Sequence, residues 1–196
     1  MNLKSNHVYV IDILPGGVVT GKGTADITRT PDGDFAYDPN ADIVKVAVVE
    51  RHKNTGNVAV GLLRGYGMKS GAVALSIAHD SHNIIAVGVS NEEIAFAVEQ
   101  LIAQTGGVVI SREGKILESM PLPVGGIMSD QTGEWVDQKL TSLHETAYKE
   151  LSVSREVEPV MTLCFMALPV IPELKLTDMG LFDVTKFEFI PVEAAQ

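Results

Sequence analysis

The chain has 196 residues, 45% of them apolar and 20% charged, with a formal net charge of −10 and a single cysteine. That length supports one domain of generous size or two small ones, with a core that needs no staples. The charge argues against nucleic acid as the main partner, the lone Cys164 excludes an internal disulfide and a Cys-x-x-Cys zinc site, and no apolar run is long enough to span a membrane. Residues 8–14 alternate and are rich in β-branched side chains, which predicts a strand. Pro15-Gly16-Gly17 reads as a turn and Val18-Val19-Thr20 as the start of a hairpin partner. Residues 28–40 hold Pro31, Pro39, Gly33 and three aspartates, so they read as a surface loop. They mark the best boundary between a linker-like segment, 1–40, and the main domain, 41–196. Strands are expected at 42–50, 58–63, 72–78 and 84–89, with a polar connector at 51–57.

Ser90-Asn-Glu-Glu93 has the form of a capping box, in which a hydroxyl accepts from an orphan amide and a glutamate reaches back. Behind it Ile94, Ala97, Val98, Leu101 and Ile102 share one helical stripe, and Gly106-Gly107 stops the helix. Residues 108–111 and 115–119 flank Arg112-Glu-Gly114 as a hairpin, and 121–126 is a stiff turn segment. A second helix is expected over 132–151, burying Val136, Leu140, Leu143, Ala147 and Leu151. Four prolines after residue 158 keep the tail's elements short, with a last strand at 187–192. The fold class is therefore α+β (mixed α/β): a sheet-dominated domain with two main helices packed on a mixed β-sheet. The helix between 84–89 and 108–110 fits a βαβ crossover.

The densest chemistry lies at 78–83, Ala-His-Asp-Ser-His-Asn, between two apolar runs. His79 and His82 could serve as metal ligands, but a metal needs further converging donors and no distant third ligand is evident. Asp80, Ser81 and Asn83 could instead hydrogen-bond backbone amides of a turn. A third reading is contact with a substrate or support for a neighbouring domain's site. Arg51-His52-Lys53 reads as a solvated connector, Cys164 as a small buried hydrophobe, and His144 as a partly exposed structural histidine. The stiff run 169–178 suits either a recognition surface or an ordered crossing over the sheet. Gly-x-Ser-x-Gly, the His-x-Glu and Pro-Cys-x-x-Cys deaminase signature, and any His-x-His pair are all missing, so no complete hydrolytic site can be read here.

Several blocks in order carry a resemblance. They are Val-Lys-Val-Ala-Val-Val-Glu-Arg-His-Lys-Asn-Thr-Gly-Asn from Val44, Gly-Leu-Leu-Arg-Gly-Tyr-Gly-Met-Lys-Ser-Gly to Gly71, and the 78–83 cluster. Pro121-Leu-Pro123 with 126–129, Met161-Thr-Leu with 167–172, Leu174-Lys-Leu-Thr with Asp178, and 183–187 complete them. From about Val8 onward the chain resembles the C-terminal domain of bacterial adenine deaminases of the amidohydrolase superfamily. The resemblance implies a cytoplasmic enzyme that hydrolyses adenine to hypoxanthine and ammonia. Its divalent metal (manganese, iron or zinc) sits in a barrel preceding this region, whose His-x-His ligands this chain lacks. The chain is thus expected to bind no metal, to be inactive alone, and to help cover or shape the barrel's active site. His79, Asp80, Ser81, His82 and Asn83 are the candidates for facing it. Under the same resemblance Asp80 and Asn83 could hydrogen-bond purine edge atoms, and the histidines could orient a metal-bound water. The barrel and adenine are the implied partners, with neither nucleic acid nor membrane. A free-standing purine- or metal-binding module, and a homo-oligomerisation element built from 84–120 and the tail, are the alternatives.

Overall fold

The computed structural model describes residues 1–16 and 18–194; Gly17 of the expected Pro15-Gly16-Gly17 turn lies outside them. The chain opens with a hairpin of β1 (His7–Ile13) and β2 (Thr20–Asp26), with Ile13 opposite Thr20 and His7 opposite Asp26. The returning strand therefore begins where the expected partner, 18–20, ends. It then follows β3 (Ile43–Val49), β4 (Val58–Arg64), β5 (Ala72–Leu75), β6 (Ile84–Gly88) and α1 (Asn91–Ala103). After them come β7 (Gly107–Arg112), β8 (Lys115–Pro121), α2 (Gly133–Glu150) and α3 (Pro159–Cys164). The described chain closes with β9 (Leu174–Thr177), β10 (Gly180–Asp183) and β11 (Glu188–Ile190).

The strands form an eight-stranded sheet in the order β2-β1-β4-β3-β6-β5-β7-β8 and a three-stranded sheet in the order β11-β10-β9. Among the described residues only β1 and β4 pair in parallel; the other ladders are antiparallel, so the class is α+β and sheet-dominated. The helix α1 joins β6 to β7, which run in the same direction with β5 threaded between them. The crossover expected from the sequence is thus a split βαβ unit.

Burial on both faces explains why β3 reads as an unbroken apolar run rather than an alternation. Val44, Val46 and Val48 enter the main core with Leu143 and Ala147 of α2 and Leu163 of α3. On the other face Ala47 joins Ala86 and the α1 residues Ile94, Ala97, Val98 and Leu101. A third cluster packs Ile27 and Phe35 on Val8, Val10, Ile43 and Leu62. Residues 1–40 thereby contribute two strands to the large sheet and a cover for its end.

Local chemistry sets the helix ends. The Ser90 side chain accepts from the Glu93 amide, as the capping box predicts, but the Glu93 carboxylate accepts from the Glu113 amide at 2.8 Å instead of reaching back. The C-terminus of α1 closes with two bonds, Gly106 N–H to Leu101 O at 2.9 Å and Thr105 N–H to Ile102 O at 3.0 Å. That is a Schellman arrangement in which Thr105, at φ +66°, takes the left-handed position. Gly107 is required for another reason: a Cβ there would lie 2.0 Å from Met120 O on the neighbouring strand.

Two expectations are corrected, and one segment left without an element gains one. Ile102 is 59% exposed, because only Ile94, Ala97, Val98 and Leu101 face the sheet. The strand expected at 72–78 ends at Leu75, since Ser76 turns its hydroxyl to Gly126 O and accepts from Gly107 N–H. The apolar run around Cys164 is the short helix α3, started by Pro159 and capped by the Glu158 carboxylate on the Met161 amide.

Candidate functional site

The chain must cross from β5 to β6 at one end of the sheet, and residues 79–83 make that crossing. His82 sits at φ +50° and donates its amide to Ala78 O at 2.6 Å, closing a tight turn. His79 N–H donates to Cys164 O at 2.9 Å, which ties the turn to the end of α3. The His79 ring packs on Phe165 with centroids 4.7 Å apart and lies 6.1 Å from the His82 ring.

The turn divides its side chains. Asp80 and Ser81 are exposed and line a shallow hollow of about 480 Å³. Its other walls are apolar, among them Leu168, Pro169, Val170, Met179 and Phe189. Met179 is 73% exposed and Val170 66%, so the stiff 169–178 run and the β9–β10 turn present uncovered apolar surface here. Asn83 points the other way and is only 5% exposed. Its Oδ1 and the Nδ1 of His82 are buried without a hydrogen-bond partner among the described residues. Burial pushes the His82 imidazole below its usual value, and the neighbouring His79, Arg51 and His52 side chains act in the same direction. His82 is therefore neutral at pH 7, with one ring nitrogen free to accept or donate.

Two residues that read as a solvated connector turn out to hold this turn. Arg51 Nε donates to His82 O at 2.5 Å, and Arg51 Nη2 donates to Gly125 O at 2.9 Å. The Nε2 of His52 lies 2.7 Å from Ser81 O. The signal was the strand register. Val49 of β3 faces Ile84 of β6, and continuing that antiparallel ladder sets Arg51 beside His82 and His52 beside Ser81.

The resemblance implies a metal in the complete enzyme, and the residues of this turn do not fit one. The two imidazoles stand together with the exposed Asp80, and no group of three or more His, Cys, Asp or Glu able to hold an ion occurs among the described residues. Cys164 adds no ligand: burial pushes its thiol up to about 12, far from a thiolate.

Comparison with known proteins gives a consistent result. Residues 17–188 match the adenine deaminase C-terminal domain family. The chain is 62% identical over 192 residues to adenine deaminase 2 of Desulfotalea psychrophila, covering 98% of this chain and 33% of that protein. It is 46% identical over 193 residues to an adenine deaminase of Ligilactobacillus salivarius, again 98% of this chain and 33% of the relative. Adenine deaminase 2 of Carboxydothermus hydrogenoformans is 47% identical over 189 residues, 96% and 33% respectively. The chain spans about a third of the length of these curated relatives.

Proposed function

The chain belongs to the adenine deaminase C-terminal domain family, and on that premise we propose that its 79–83 turn is laid against a preceding barrel. There it helps cover and shape the site where the complete enzyme hydrolyses adenine to hypoxanthine and ammonia. One observation carries this reading. The turn holds buried polar atoms with no partner among the described residues, His82 Nδ1 and Asn83 Oδ1, while its Asp80 and Ser81 line an open apolar hollow. An unpartnered buried polar atom costs roughly 1–3 kcal/mol, and such atoms mark places where something other than stability is served.

In this reading Asp80 and Asn83 hydrogen-bond purine edge atoms. Neutral His82 offers a ring nitrogen, while His79 is oriented by Phe165. The apolar walls exclude water from the covered site. A divalent metal (manganese, iron or zinc), held by the barrel, would supply the hydroxide for attack on the ring carbon. The barrel of the same enzyme is the partner and adenine the substrate, in the cytoplasm.

A chimera tests this directly. The last third of the Desulfotalea psychrophila relative is replaced by this chain, and ammonia release from adenine is measured. The chimera should be active, and alanine at His79, Asp80 or His82 should lower kcat/KM by roughly tenfold or more. This chain alone, with manganese, iron or zinc added, should release no ammonia. An active isolated chain, or a chimera indifferent to all three substitutions, would sink the reading. The same orphan atoms favour a second reading, a free-standing purine-binding module. Micromolar adenine affinity of the isolated chain in calorimetry would support it.

A further inference from the structure

We infer that Arg51 and His52 are positioning residues, a two-point clamp on the backbone of the 79–83 turn that sets where its side chains aim. The inference rests on the reading of that turn as part of the deaminase site, and it is argued from contacts outside the turn itself. Arg51 has no carboxylate within ion-pair distance among the described residues, although the chain carries 25 acidic side chains. Its donors go to two carbonyls instead, His82 O in the turn and Gly125 O in the connection from β8 to α2. A guanidinium is suited to this, because its planar fork presents separate nitrogens to two acceptors at fixed angles, whereas a lysine offers a single freely rotating ammonium.

The surroundings of Arg51 are arranged to hold it. A Cβ on Gly126 would lie 2.7 Å from Arg51 Nη1, so the absence of a side chain there makes room for the guanidinium. Gly126 is itself fixed by Ser76, whose hydroxyl donates to its carbonyl at 2.5 Å. A Cβ on Gly106 would lie 2.5 Å from Gly126 Cα, so the end of α1 backs the same spot. From the other side the Glu50 carboxylate accepts from the amides of His52, Lys53 and Thr55 and from the Thr55 hydroxyl, at 2.5–3.0 Å. The backbone carrying Arg51 and His52 is thereby fixed before either side chain reaches across. This layered support converges on the carbonyls of residues 81 and 82.

The test uses Arg51→Ala in this chain, with ethylguanidinium as the probe that refills the space. Amide hydrogen exchange at 80–83 should rise about tenfold, consistent with loss of charge-assisted hydrogen bonds, while 43–49 in β3 is unchanged. Millimolar ethylguanidinium should restore the slow exchange. In the chimera the same substitution should lower kcat/KM for adenine by about tenfold, again relieved by ethylguanidinium. Should Arg51→Ala fail to fold, Arg51→Lys keeps the charge but loses the fixed two-point geometry, and the rise at 80–83 should persist. His52→Gln, whose amide can still donate to Ser81 O, should leave the turn slow where His52→Ala loosens it. Unchanged exchange at 80–83, or exchange rising equally in β3, overturns the clamp. A turn that loosens and is rescued, in a chimera whose kcat/KM does not move, overturns the active-site reading of the turn while the clamp stands.

Discussion

Strand β3 carries a cation near each end, and the two are accommodated in opposite ways. Lys45, 3% exposed, places its ammonium 2.5 Å from the Asp34 carboxylate and 2.7 Å from Asn91 Oδ1, and Asn91 donates to the same carboxylate at 2.8 Å. Burial raises the Asp34 carboxyl, but the hydrogen bonds from Lys45, the Met1 amino group and Asn91 outweigh it and hold the group well below the usual range. That end is a closed network in which the Asp34 carboxylate accepts from Lys45, Met1 and Asn91. Among the described residues Arg51, just beyond the other end, bonds only carbonyls, and the turn it holds has orphan atoms on His82 and Asn83. The contrast separates two uses of buried polarity: the satisfied cluster fixes the 28–40 cover onto the sheet, whereas the unsatisfied one leaves capacity for a partner.

The largest expected effect breaks the closed end. Asp34→Ala strands the ammonium groups of Lys45 and Met1 and should cost about 3–5 kcal/mol in urea denaturation, whereas Asp34→Leu with Lys45→Met should recover only the part due to Lys45. A single-mutant loss below about 1 kcal/mol would erase the distinction between the two ends. Asn83→Leu sharpens the open end. Removing an unpartnered amide should leave stability within about 1 kcal/mol while the chimera loses roughly tenfold in kcat/KM. A stability loss above about 2 kcal/mol would show Asn83 to be a structural residue.

A smaller effect appears with pH, and the two ends respond in different windows. His82 has a lowered folded value, so below about 6.5 the unfolded chain takes up a proton that the folded chain resists. Stability should therefore fall as pH drops from about 6.5 toward that lowered value, and His82→Gln should flatten this slope. Asp34 and Asp183 are carboxyls held low by Lys45 and Lys22 against the opposing effect of burial. Their contribution should be present above about pH 4 and be lost as pH falls further. Urea midpoints across pH 2–8 would resolve both steps. The smallest effect concerns Cys164, whose carbonyl anchors His79. Its thiol, pushed up to about 12 by burial, should alkylate at pH 8 far more slowly than a free cysteine. Rapid labelling would mean that the α3 end of the turn opens readily.

Much of the architecture was legible in the sequence because the signals were local. The β-branched run of β3 and the Ser90 cap each needed only neighbouring residues, and the 79–83 cluster stood out by polarity alone. What escaped depended on distant partners. The six residues of α3 have a proline start, Val160, Thr162 and Cys164, a composition with weak helix propensity, and are held by burial of Val160 and Leu163. Ile102 fits the apolar stripe, yet it lines a separate small hollow with Arg51, Ser76 and Thr105 instead of meeting the sheet. Arg51 and His52 look like ordinary connector residues until the pairing of β3 with β6 is known.

The continuation of the β3–β6 ladder into residues 51 and 52 also dictates where chain length can vary. Adding or deleting one residue between 49 and 52 would swap the sides on which these two side chains emerge, since strand faces alternate with every residue. Beyond that point the constraint lapses: Gly56 has open space around it and residues 53–57 are exposed. A peptide tag or fluorophore grafted after Gly56 would thus travel with the hairpin tip and leave the register, and everything anchored through it, undisturbed.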